Sequence, residues 1–444
     1  MTLIETFTEF VAGLELRRLP PEVVSKAKLC VVDTVSACLT VGSTDGSGAA
    51  LALLGQCRGG TSRVIGRRER TDAERAAFVN AVSAAATIRT DTHSASASHP
   101  GMVVIPAVLA CGEASGISGR AALTGIIAGY EFMIRLGLAV ITPELASIFR
   151  PTGLLGPGSA ALGVAAATKL GQAETVRAVA LACHSAAGFN EWIHAGTNEH
   201  IYHAGFAARN AITSVHLAVA GAEAAPSLLE GRSGLLAGFS ALGRAEQITE
   251  DLGRHFCILD TVHKPAPACI FAQSPAQAAL ALLQEHTLDP AEIDSIDIFT
   301  SPRAVSFPGC DNSGPFVDAP SVQQSIQFSV AAIIAAGAVR ERLWHLPVDP
   351  LVNRIAASCR LVVDASAEAN RQPVRLLVRL RDGRTVASSL PDFTSMTETE
   401  VVARFLQAAL PVLGVAQADR ALHEIMQLDE AADLNTVTAF FAPA

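Results

Sequence analysis

The segment Thr90-Asp91-Thr92-His93-Ser94-Ala95-Ser96-Ala97-Ser98-His99-Pro100-Gly101 crowds two histidines, an aspartate and several hydroxyls between two apolar stretches. Polar groups so placed are costly to bury unless they are paired or face a ligand. A histidine beside a helix start suits a general base or an anion ligand. Spacing alone fits a solvated Ser-rich loop equally well. A second cluster runs from Asn190 to Gly205 and places His200 and His203 at i and i+3, on one helical face. No HExxH pattern and no carboxylate at ligand spacing accompanies the pair. A catalytic base or a hydrogen-bonded structural histidine is therefore preferred, and no metal is expected. The third cluster, His263 to Cys269, sets Lys264 in a proline-rich stretch from which it could project into an interdomain cleft, the alternative being an exposed linker lysine.

These groups need elements to hold them. From Pro21 to Val41 apolar residues recur at helical spacing, with Gly42 as a stop. Similar patterns predict helices over Asp72–Thr87, Val103–Ser115, Arg120–Val140, Gly158–Leu170, Thr175–Ala187, Tyr202–Ala220 and Ala224–Leu229, so that the first ~260 residues read as nearly all helix. The pattern changes near Asp260. A helix over Pro275–Glu285 is followed by alternating strands at Ile293–Thr300, Arg360–Asp364 and Val374–Leu380, the last turning at Asp382-Gly383 into Thr385–Ser388. Helices over Ser321–Val339 and Val352–Ser358 lie among them, and Thr397–Ala409 and Ala416–Met426 return to helix. The predicted class is mainly α: a large all-helical domain (1–260 and 395–444) with a smaller α+β lid (261–394) inserted before the C-terminal helices. Gly153–Gly163 is glycine-rich, but no strand precedes it, so it carries little weight as a nucleotide signal.

Half of the 444 residues are hydrophobic and only 5% are aromatic, so the core must be built from Ala, Leu, Val and Ile. A net charge of −9 without a basic run argues against a nucleic-acid partner; an anionic substrate would need a local positive pocket. Nine cysteines scattered without a CxxC pair suggest neither a disulfide framework nor a zinc site and fit a reducing cytoplasm. The N-terminus lacks a signal-peptide pattern, and the best candidate span, Ala121–Ile141, is interrupted by Glu131 and Arg135. The expectation is a soluble cytoplasmic protein with no membrane partner.

The order Asp-Thr-His…His-Pro-Gly (91–101), Arg-Pro-Thr-Gly…Gly (150–156), His-Ala-Gly-Phe-Ala-Ala (203–208), Lys-Pro-Ala-Pro-Ala-Cys (264–269) and Gln-Phe-Ser-Val-Ala-Ala (327–332) resembles the MmgE/PrpD family along essentially the whole chain. The resemblance implies a helical domain with a lid, a homodimer, no metal and no organic cofactor. The family's activities include 2-methylcitrate dehydration, cis-aconitate decarboxylation and iminodisuccinate epimerisation. Thr92, His99 and Lys264 match residues lining the family's active site, and Asp91 precedes Thr92 in the same motif. Other positions depart: Ile88 replaces an acid, Arg150 a histidine, His200 a lysine and Gln324 a tyrosine. The site stays cationic while its acids and bases change.

In the family's reactions a proton or CO2 leaves a carbon beside a carboxylate, and negative charge develops on the carboxylate oxygens. Arg150 is suited to fork a carboxylate, with Lys264 as a second point charge. His99 or His200 would move the proton, and His203 and Gln324 would help bind the substrate. The leading expectation is a lyase, dehydratase or decarboxylase, acting on a small di- or tricarboxylate. An epimerase of an amino- or imino-dicarboxylate and a non-catalytic polycarboxylate binder are the alternatives.

Overall fold

A computed structural model of the chain describes residues 1–40, 47–56, 59–367 and 371–444. Gly42, the expected helix stop, lies outside them. The chain is mainly helical and divides into two compact units. The first comprises residues 1–189, 199–263 and 397–444; the second comprises 190–198 and 264–396.

In the first unit the helices Pro21–Thr40, Ala73–Ala86, Gly101–Ser115, Gly119–Val140, Pro151–Ala167, Gln172–Cys183 and His200–Val219 pack on one another. Their starts follow from side-chain caps. Asp72 accepts the Arg75 N–H at 2.8 Å, and Ser118 accepts that of Ala121 at 3.3 Å. Gly116, in the left-handed region at φ 60°, closes the Gly101–Ser115 helix. Gly119–Val140 is long and apolar enough to cross a membrane, yet most of it is buried in this unit. Glu131 and Arg135, the charges interrupting it, pair at 3.1 Å in the interior.

Three expectations are corrected here. Ala224–Leu229 is not a helix: Pro226, Gly231 and Gly234 fold the chain back so that Leu235 and Leu236 donate their N–H groups to the carbonyls of Leu228 (2.8 Å) and Leu229 (3.0 Å). With it, much of 220–263 is turn and short 3-10 helix rather than continuous helix. The helix expected to begin at Gly158 begins at Pro151, whose ring presets the first-turn φ, and its glycines are not punctuation. A Cβ at Gly153 would run into the Ala187 carbonyl, so glycine there lets the 187–188 loop lie against the helix start.

The second unit carries a four-stranded sheet. Its order is Cys359–Val363, Ile293–Thr300, Val374–Leu380 and Thr385–Leu390, the first pair parallel and the others antiparallel. Ile293, Ile296 and Ile298 point into its core, beside helices Gln273–Glu285, Ile326–Ala336 and Pro350–Ala357. Asp297 ties its strand to both neighbours by pairing with Arg360 and Arg379, each at 2.9 Å. The predicted helix Ser321–Val339 is broken in two at Ser325, whose hydroxyl accepts the Phe328 N–H at 2.8 Å and starts the second piece. Residues 190–198 belong to this unit although both their chain neighbours belong to the other; their helix Glu191–Ala195 packs on Ala319–Gln324.

Candidate active site

The N-terminal ends of two helices in the first unit bring four of the sequence-predicted residues together. His99, half-buried at the end of its loop, shares a 3.1 Å hydrogen bond between Nδ1 and the hydroxyl of Thr152, in the first turn of Pro151–Ala167. Arg150 immediately precedes that helix. Its backbone N–H donates to the Gly188 carbonyl at 2.9 Å, and its buried guanidinium donates to the His200 carbonyl and reaches the Met102 sulfur at 3.9 Å. Among the described residues no carboxylate pairs with Arg150. Burial pulls its guanidinium down to about 10, which leaves it cationic at neutral pH.

His200 and His203 open the His200–Val219 helix. Burial, then the charge of Arg150, pushes both imidazoles down: His200 well below its ordinary value and His203 to about 4, with Glu199 opposing the shift at His203. Both rings are neutral near pH 7. A guanidinium beside them disfavours a cation between them and favours an anion. An imidazole kept neutral by burial makes the fold less stable as pH falls, because the unfolded chain takes up the proton first. Stability is therefore expected to drop from the ordinary imidazole value of 6.5 toward about 4. His203→Gln should flatten part of that drop in denaturant titrations; an unchanged slope would contradict the buried, neutral assignment.

The loop 91–99 is not a solvated Ser-rich turn. Ser96 and Ser98 are fully buried, and they chain with His93 through contacts of 2.8 Å and 2.7 Å. Thr92 spends its backbone on a bridge to Val262, donating at 2.9 Å and accepting at 2.8 Å, while its hydroxyl donates to the Thr90 carbonyl at 3.3 Å. Asp91 lies in the core, against Gly101, the Thr34 hydroxyl and the Tyr130 hydroxyl. Neither of its oxygens makes a hydrogen bond of full geometry. Burial, then the charge of Asp33, raises this carboxyl to about 7, with the Tyr130 hydroxyl opposing.

Asp91 packs against Gly101, two residues after His99. A Cβ at Gly101 would fall inside contact distance of its carboxylate, so Gly101→Ala is expected to cost about 1–3 kcal/mol by overpacking, read as a lowered denaturation midpoint. An unchanged midpoint would show the acid free to move aside. Beside it, Asp33 accepts from Arg404 at 2.5 Å and lies 3.1 Å from His263 Nδ1.

Lys264 and Gln324 belong to the second unit. Lys264 is fully buried, against the exposed-linker alternative. Cys269 lies 3.7 Å from Cys310, sulfur to sulfur; the Cys310 hydrogen bond lowers the Cys269 thiol against the effect of burial, and Lys264 adds to the lowering. Gln324 is buried at the end of Ala319–Gln324.

Residues 5–247 match the MmgE/PrpD N-terminal domain and residues 266–430 the MmgE/PrpD C-terminal domain. The chain belongs to the MmgE/PrpD family. Within it, the chain is similar to a cis-aconitate decarboxylase-like protein, oryM, of Aspergillus oryzae, at 25% identity over 98% of this chain and 96% of the relative. It is also similar to the cis-aconitate decarboxylase of Aspergillus terreus, at 30% identity over 50% of this chain and 46% of that protein.

Two residues of this cluster were not singled out as site residues from the sequence, although Thr152 lies within Arg-Pro-Thr-Gly (150–153). Thr152 holds His99 and Met102 underlies Arg150. Thr152 carried a signal, a hydroxyl directly after a proline at a helix start. Met102 carried none, since a methionine in an apolar run reads as core.

Proposed function

We propose that the protein is a lyase that binds a small unsaturated or hydroxylated polycarboxylate and removes CO2 or a proton from the carbon beside a carboxylate. The observation that carries this reading is the buried guanidinium of Arg150, without a carboxylate partner among the described residues, flanked by the imidazoles of His200 and His203 and joined through Thr152 to His99. A buried cation without a protein anion is costly, and an acid substrate supplies the missing charge. The names of the relatives support decarboxylation of a cis-aconitate-like acid as the reaction to test first.

Decarboxylation leaves the C–C bonding pair on the α-carbon, and a proton must then be delivered there. Arg150 holds a remaining carboxylate in both the ground and the transition state, anchoring the acid while charge develops on the reacting carbon. The bound acid brings negative charge to the neutral imidazoles of His200 and His203, raising their proton affinity, so that either becomes a donor once substrate is present, with His99 as a further candidate to move the proton. Water loss would use the same groups, one imidazole taking the α-proton and another protonating the departing hydroxyl.

The test is incubation with cis-aconitate in heavy water, followed by mass spectrometry of gas and product. The expected result is CO2 release with one deuterium in the remaining dicarboxylate. Deuterium exchange without loss of CO2 or water, across cis-aconitate, 2-methylcitrate and amino-dicarboxylates, would replace the lyase with an epimerase. Binding of these acids with no change in any would leave a non-catalytic binder.

A further inference from the structure

We propose that His255, Cys257 and Asp260 form a site for one transition-metal dication of the zinc class, using none of the residues assigned above to the acid substrate. An imidazole nitrogen, a thiol sulfur and a carboxylate oxygen from these three side chains all lie within 4.8 Å of one another. Donors bound to zinc at about 2.0–2.3 Å stand some 3–4 Å apart, so closing on a metal needs only small side-chain adjustments. At present His255 Nε2 and Asp260 Oδ2 meet at 2.6 Å, a hydrogen bond that a cation would replace. The donor set chooses the ion: thiolate and imidazole favour zinc, cobalt or copper over magnesium or calcium.

The backbone carrying these donors is fixed in advance. Arg135, in the middle of the apolar helix Gly119–Val140, donates to the carbonyls of His255 (3.0 Å) and Glu250. Its partner Glu131 accepts the Ile258 N–H at 3.4 Å and faces the Cys257 thiol. The two charges that interrupt this helix therefore hold the 255–258 turn, as second-layer groups hold the ligands of metal sites. Solvent reaches the site from the other side, where the His255 and Asp260 side chains are 53% and 46% exposed. Three protein donors leave a fourth position for water. Binding would release the Cys257 thiol proton to solvent, since only the thiolate ligates.

The site has a structural outlet. Asp260 leads directly into Thr261–His263, the stretch that pairs with Thr92 through Val262 and accepts the Lys26 ammonium at 2.8 Å on the Thr261 carbonyl. A metal at 255–260 would brace that stretch.

The test is titration of chelator-treated full-length protein with cobalt(II) and zinc, read by absorbance and calorimetry. The expected result is one ion per chain with a near-ultraviolet thiolate-to-cobalt band. That band should be lost in Cys257→Ser, and zinc should bind at least about tenfold more weakly to His255→Ala and Asp260→Ala. Both are exposed positions, which keeps the test valid if Cys257→Ser folds poorly. Absence of binding, a cobalt spectrum without the thiolate band, or affinity unchanged by His255→Ala would each overturn the proposal.

Discussion

Arg150→Ala is expected to lower kcat/KM by on the order of a hundred- to a thousand-fold, with most of the loss in KM. The guanidinium is buried, cationic and, among the described residues, without a carboxylate, so its charge acts on whatever acid enters. A contact made to a substrate carboxylate in both ground and transition states appears mainly in KM. Arg150→Lys keeps the charge but loses the planar fork and the reach to the His200 carbonyl and Met102, so it should recover only part of the activity. Steady-state kinetics on both variants, with melting curves to confirm folding, decide the matter. A KM equal to wild type in Arg150→Ala would make the residue a structural support for the His200–Val219 helix and nothing more.

The second large effect is on stability. Asp33→Ala should destabilise the protein by roughly 3–5 kcal/mol, because it takes the carboxylate from a buried pair and leaves the charge of Arg404 behind. Burial pushes the Asp33 carboxyl up, but Arg404 and then the His263 hydrogen bond outweigh it and hold it below the usual carboxylate range. The sign follows: the pair stabilises the fold fully above the ordinary value of 3.8 and loses its effect as pH falls toward the lowered one. Denaturant unfolding of wild type and variant at pH 7 and pH 3 should show the gap narrowing in acid. A loss below about 1 kcal/mol at pH 7 would mean that the network re-forms around water.

Helices of the first unit were legible where apolar residues recur at a 3.6-residue period, along Pro21–Thr40, Ala73–Ala86 and Gly119–Val140, the last two with Asp72 and Ser118 as polar caps. The strands were legible from alternation at Ile293–Thr300 and Val374–Leu380. Reading failed where one residue type serves two purposes. Glycine at 153 permits close packing within a helix, whereas glycines at 231 and 234 belong to a folded-back turn, and composition does not separate the two. Ser325 breaks an apolar helix through a single hydroxyl cap, a signal lost inside a hydrophobic run.

The candidate site was legible as residue types but not as groupings. His99, Arg150, His200 and His203 were named from clusters lying 50 to 100 residues apart, and the fold gathers them through Thr152 and the His200 carbonyl. Asp91 was named with His99 because they share a loop, yet its side chain faces the core. Loop membership fixes the neighbourhood of a residue; the direction of its side chain depends on packing, here on the space left by Gly101.

The nine-residue strap Asn190–Asn198 means that the second unit, like the first, is not encoded by one uninterrupted stretch of sequence. A recombinant fragment spanning 264–396 would lack the short helix that packs on Ala319–Gln324, and the chain around Asp318 would lose the neighbour supplied by Gly196. Joining 189 directly to 199 would close a gap in one fold while robbing the other. Dissection of this protein into separately expressed pieces therefore calls for grafting the strap onto the excised part, not for cutting at a single junction.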